Sequence, residues 1–181
     1  DLKGLVAGRV FIFPESVVYN PFEWFDHQSF LKTDQAAANQ VAVTANLLVP
    51  RVVYDRIGGF RELTSGSDVD FSRRAVAATG RFLYLPEMAV RHPARATRTE
   101  IHRKIDRVAL GKAEQIRSDG SSSIVILVFA AKQAVALLLQ HLFWKDMVRT
   151  WPQPGFSWSW KFRYTWISLR FWIRYRMKII E

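Results

Sequence analysis

The sequence predicts an α/β domain over residues 1–117, followed by amphipathic, membrane-associated helices over residues 118–181. Three observations carry that expectation. Short runs rich in Val, Ile, Phe and Leu that stop at Pro alternate with segments bearing helix caps and Gly stops. Of the 181 residues, 49% are apolar, enough for a genuine core and too many for a disordered chain. Composition also shifts abruptly: from Lys145 to Glu181 eight basic residues stand against two acidic ones, and six of the seven Trp fall from Trp144 onward.

A formal net charge of +10 and a pI near 10.3 call for an anionic partner. Nucleic acid, an acidic membrane surface and a phosphorylated substrate all meet that demand. The chain has no Cys, which removes disulfides and thiolate metal sites and fits a reducing compartment. Asp1-Leu2-Lys3 is followed by a strand-like run, not by the sustained apolar stretch of a signal peptide, and no initiator Met is present. The chain is therefore expected to begin partway through a longer protein.

Gly4 to Pro14 reads as a buried strand. Tyr19 to Leu31, aromatic and weakly patterned, reads as loop and short helix. Val41 to Val49 predicts a second strand with Asn46 inside it. Arg51 to Ile57 predicts two helical turns stopped by Gly58-Gly59, since Gly readily supplies the left-handed residue that closes a helix. After the polar loop from Arg61 to Ser67, Asp68 is expected to open a helix that ends at Gly80; a carboxylate there suits the free N–H groups and the dipole.

Arg81 to Leu85 predicts a strand ended by Pro86, with extension resuming from Met88 to Arg91. Thr97 and Glu100 have capping-box spacing and open a basic helix to about Arg117. Ser118 to Ser123 reads as a linker. Ile124 to Trp144 has the length of a membrane span but contains Lys132, Gln133, Gln140 and His141, which favours an in-plane or re-entrant helix. Two Pro and a Gly between Trp151 and Trp160 break that helix. The last helix puts Phe162, Trp166, Leu169, Ile173, Met177 and Ile180 on one stripe, with Arg163, Arg170 and Arg174 on another face. Trp mixed with Arg suits a lipid headgroup zone; a buried aromatic helix with a solvated basic edge has the same pattern.

The most specific signal runs from Thr44 to His92. In order it shows Asn46, Arg51, Gly58-Gly59-Phe60, Asp68-Val69-Asp70, Arg73-Arg74, Gly80, Tyr84-Leu85-Pro86 and His92. This succession, about fifty residues without a gap, resembles the acceptor-side half of family 2 glycosyltransferases of the GT-A, Rossmann-like fold. The following His-Pro-Ala-Arg-Ala-Thr and its basic helix resemble a membrane-associated bacterial subset that builds envelope saccharides.

The resemblance implies inverting transfer of a sugar from a nucleotide sugar to a saccharide or lipid-linked acceptor, at the cytoplasmic face of the bacterial inner membrane. Asp68 is implied as the general base that takes the acceptor hydroxyl proton. The residue taken alone also reads as a helix cap. Asn46, Gly58, Gly59, Phe60, Ser67 and Asp70 are implied around the acceptor. Ser67 stands where the family usually has a second acid.

Asp68-Val69-Asp70 has the form of the Asp-x-Asp metal motif, but that motif belongs in the nucleotide half, ahead of Gly-Gly-Phe. Asp70 is expected to pair instead with Arg73 or Arg74. The implied cofactor is Mg²⁺ or Mn²⁺, bound mainly by an upstream Asp-x-Asp absent from this sequence. His92 is a candidate further ligand or a structural His. Arg91 and Arg95 are candidates for diphosphate or lipid phosphate, or a solvated face. Because nothing before residue 44 resembles the nucleotide-binding half, the chain is expected to bind sugar nucleotide poorly by itself. Expected partners are anionic lipids and the acceptor, not nucleic acid. The alternatives are an inactive remnant serving as a membrane-bound interaction module, or a basic nucleic-acid binder along Arg91 to Arg117.

Overall fold

Leu5–Phe13 (β1) buries Leu5, Val6, Ala7, Val10 and Ile12, a nearly unbroken run that suits a strand covered on both faces. The computed structural model describes residues 3–15, 17, 19–118, 128, 131, 132, 135 and 157–180. In it β1 is the middle of a three-stranded sheet of order β2-β1-β3, with β2 at Leu47–Leu48 antiparallel and β3 at Phe82–Pro93 parallel to it. The architecture is mixed α/β.

Two expectations about strands change. Val41 to Val49 is not a strand: Thr44–Asn46 forms a 3₁₀ turn and only Leu47 and Leu48 pair with β1. Asn46 explains it. Its buried side-chain amide donates to the carbonyls of Arg9 and Met88, at 2.9 and 2.7 Å, and so ties the turn to both longer strands. The segments on either side of Pro86 are one strand, not two. Register passes from Gly8 opposite Leu85 to Arg9 opposite Ala89, so Pro86, Glu87 and Met88 loop out as a bulge. A residue without an N–H is tolerated there.

Helices follow. Pro21–Ser29 (α1) begins at Asn20, whose side chain accepts from the N–H groups of Phe22 and Glu23 while Glu23 closes the capping box. Thr33–Ala38 (α2) has no counterpart in the sequence reading. Arg51–Arg56 (α3), Ser67–Thr79 (α4) and Arg98–Ser118 (α5) stand where helices were expected, and the Thr97–Glu100 box is formed. Trp158–Ile180 (α6) is the last element.

Two apolar clusters hold these pieces. Leu5, Val53, Phe71 and Ala75 join β1, α3 and α4. Trp24, Phe25, Ile101, Ile105, Tyr164 and Phe171 join α1, α5 and α6. Across the second cluster Arg174 on α6 grips Asp106 on α5 with two bonds of 2.7 Å. The tail thus packs one aromatic face of its last helix against the α/β part. Of its predicted apolar stripe, Phe162, Trp166 and Met177 are more than half exposed, while Leu169 and Ile173 are half-buried. No helix among the described residues is long and apolar enough to cross a membrane. The predicted helix from Ile124 to Trp144 lies outside the described residues apart from positions 128, 131, 132 and 135, as does most of the break at Trp151 to Trp160.

Candidate functional site

A cavity of about 540 Å³ opens between the first turn of α4, the loop before it and one face of α5, beside the carboxyl end of β3. Thr44 and Ala45 contribute to its wall, and His92 and Arg95 reach it from the end of β3 and the loop that follows. The carboxyl ends of parallel strands are where α/β sheets usually hold ligands.

Asp68 lines this cavity together with Ser67. It is the second residue of α4, not its cap. Gly66 is the cap, at φ +86°, a left-handed conformation that lets the loop turn into the helix. The Asp68 carboxylate accepts the N–H of Val69 at 3.0 Å. The positive end of the helix favours a negative charge in that turn.

Gly58, Gly59, Phe60 and Asp70 do not line the cavity; the last three brace the helix that carries Asp68. Arg74 donates to the carbonyls of Ile57 and Gly59, at 2.6 and 2.7 Å, and to Asp70 at 2.8 Å. Gly59 has φ +69°, and a Cβ there would sit 2.8 Å from the Tyr54 hydroxyl. Phe60 stacks on the fully buried Phe71 of α4 with ring centroids 4.1 Å apart. Gly-Gly-Phe is therefore the bed on which the catalytic candidate rests. Asn46 is likewise spent on the β1 and β3 backbones.

Asp70 bonds Arg61 at 3.1 Å as well as Arg74, so the two acids of the Asp-x-Asp triplet serve different surroundings. The expected partner Arg74 is found; Arg73 is exposed. His92 places Nδ1 2.7 Å from the Pro93 carbonyl, which makes that nitrogen the donor. Asp68 and His92 are the two site candidates on the cavity able to ligate a divalent ion. Among the described residues no group of three or more His, Asp or Glu is arranged to hold one. A Mg²⁺ or Mn²⁺ ion would need ligands beyond these.

The arginines separate. Arg91 lies over the Phe13 ring at 4.3 Å and is not on the cavity wall. Arg95 is on the wall, anchored from behind: its backbone N–H and guanidinium both bond Asp26 of α1, at 3.1 and 2.9 Å, and Asp26 is fully buried.

Two cations not singled out in the sequence complete the wall, Lys104 and Arg107 of α5. Burial, and after it the charges of Arg107 and Arg95, lower the Lys104 ammonium to about 8, while Asp26 and Asp68 act in the opposite sense. Arg107 reaches the Ser65 hydroxyl at 3.4 Å. Their spacing with Val108 and Gly111 on one helix face was the available signal. Gly111 lets α5 approach: a Cβ there would lie 2.7 Å from the Ser65 backbone nitrogen. No protein-family model, curated protein or solved structure matches the chain.

Proposed function

We propose that the protein works in glycosyl transfer, as the acceptor-side half of a GT-A, family 2-like enzyme in which Asp68 is the general base. The observation that carries the reading is the position of Asp68: a carboxylate in the first turn of a braced helix, on the wall of a cavity of about 540 Å³ near a sheet's carboxyl edge. The ordered Asn46 to His92 motif supports it from the sequence side. In the reaction the acceptor oxygen attacks the anomeric carbon, the bond to the nucleotide diphosphate breaks, and the acceptor proton passes to the Asp68 carboxylate. A carboxylate fixed by an N–H bond and a helix dipole costs little reorganisation when the proton arrives.

The same reading places the protein on an anionic membrane, at the cytoplasmic face of the bacterial inner membrane. The outer face of α6 supports that part. Trp158, Phe162, Trp166 and Met177 are each more than half exposed, a patch that water does not favour. Lys161 lies over the Trp158 ring and Arg170 over Trp166, so cations sit among the aromatics as they do at a headgroup layer. A tail bound there raises the local concentration of a lipid-borne acceptor. The test is transfer from sugar nucleotides by membranes containing the full-length protein, compared with its Asp68→Asn form. Loss of transfer at unchanged protein level supports the base; transfer that survives reduces Asp68 to a helix-stabilising charge.

A further inference from the structure

Three cationic side chains, Arg95, Lys104 and Arg107, line one cavity with a single carboxylate, Asp68, and one imidazole, His92. Arg95 is balanced by Asp26 behind it. Lys104 and Arg107 are not balanced in that way: among the described residues neither has a carboxylate within 4.0 Å. The Lys104 ammonium is half-buried and lies over the Phe30 ring, 5.4 Å from its centroid. Burying a cation without a partner is unfavourable. On this cavity wall the half-buried ammonium stands one helical turn from the Arg107 guanidinium, and an anion bound between them would offset the cost of burying it.

We infer that this α5 wall is a phosphate-recognition subsite, in which Lys104 and Arg107 hold a phosphate or diphosphate carried by the substrate whose reacting end faces Asp68. The orientation toward Asp68 rests on the glycosyltransferase reading; the anion site does not. An ammonium and a guanidinium suit phosphate, the first as a compact charge and the second as a fork of donors. The amino end of α4, at the same cavity, adds positive potential. Asp68 lines the same cavity and keeps it from being uniformly basic. Two sources carry such a group, the diphosphate of a nucleotide sugar and the phosphate of a lipid carrier.

The test is calorimetric titration of the full chain in detergent with inorganic pyrophosphate, beside Lys104→Gln, Arg107→Gln and, as a charge control on the exposed face of α5, Lys112→Gln. Lys104→Gln and Arg107→Gln are each expected to weaken pyrophosphate at least tenfold, and Lys112→Gln less than twofold, with melting temperatures unchanged or raised. Competition by uridine diphosphate and by a polyprenyl phosphate in mixed micelles then reports the source: the competitor whose effect depends on Lys104 identifies it. The inference is overturned if pyrophosphate does not bind, if its affinity ignores Lys104 and Arg107, or if glucuronate binds through them and pyrophosphate does not. Asp68→Asn separates the two readings. It is expected to abolish transfer while keeping or tightening pyrophosphate affinity. A chain with no transferase activity in any form that still binds pyrophosphate through Lys104 keeps the subsite and loses the enzyme.

Discussion

Asp26 is a carboxylate with no exposed surface, and Arg95 is its counter-ion. Removing one member of a buried pair strands the other, at a cost of about 3–5 kcal/mol. Arg95→Ala is therefore expected to lower stability by that order in urea denaturation, and a loss no larger than that of a surface substitution would contradict the pairing. Lys104 gives a pH signature. Below pH 8 both folded and unfolded chains hold its proton, and the fold bears the full burial penalty. Between about 8 and 10.5 the folded chain has released the proton and the unfolded chain has not, so stability rises with pH. Urea midpoints at pH 7.5 and 9.5 should show the rise, and Lys104→Gln should flatten it. Asp68 was legible in the sequence because a helix start leaves a local mark. Lys104 was not, because its meaning depends on a cavity wall formed by residues some forty positions away, Ser65 to Asp68.

Among the elements, α6 has two apolar faces with different neighbours. Tyr164 and Phe171 are buried against α1 and α5, while Phe162, Trp166 and Met177 face outward. Phe171→Ala is expected to cost about 3–5 kcal/mol, the usual range for emptying a packed aromatic site. Phe162→Ala together with Trp166→Ala should leave the melting temperature within a few degrees and still reduce co-sedimentation with anionic vesicles severalfold. If the pair melts the protein instead, the outer face is structural. The outer stripe was readable from periodicity; a buried aromatic face was open as an alternative, but its residues were not named because Tyr, Ser and aromatic residues interleaved with Arg blur the period. The bulge in β3 was missed for a different reason. Pro86 reads as a stop, and only the long-range pairing with β1, which resumes with Arg9 opposite Ala89, shows that the strand continues in the same sheet. Helices with caps and Gly stops came through because those signals are local.

For the whole molecule the formal net charge is +10, and part of the basic charge lies on the cavity wall and on the outer face of α6. Vesicle binding that rests on such charge weakens with salt, because surface attraction decays over a Debye length of about 8 Å at physiological ionic strength. Raising NaCl to about 1 M should release much of the protein from vesicles while the apolar stripe retains a remainder; binding indifferent to salt would remove the electrostatic part of the account. The mixed α/β class followed from the alternation of strand and helix signals. The three-stranded order β2-β1-β3 did not, since pairing joins residues as distant as Leu5 and Phe82.

The central claim is that the carboxylate on the first turn of α4 takes the acceptor proton. It is tested most directly by sugar transfer from a panel of sugar nucleotides, using membranes that contain the full-length protein or its Asp68→Asn form at equal levels. Asparagine preserves the size of the side chain and the acceptor for the Val69 N–H, so α4 should keep its place. The account predicts a fall in rate of about 10²–10⁴, the range ascribed to a positioned general base. Transfer by Asp68→Asn at the parent's rate would contradict it.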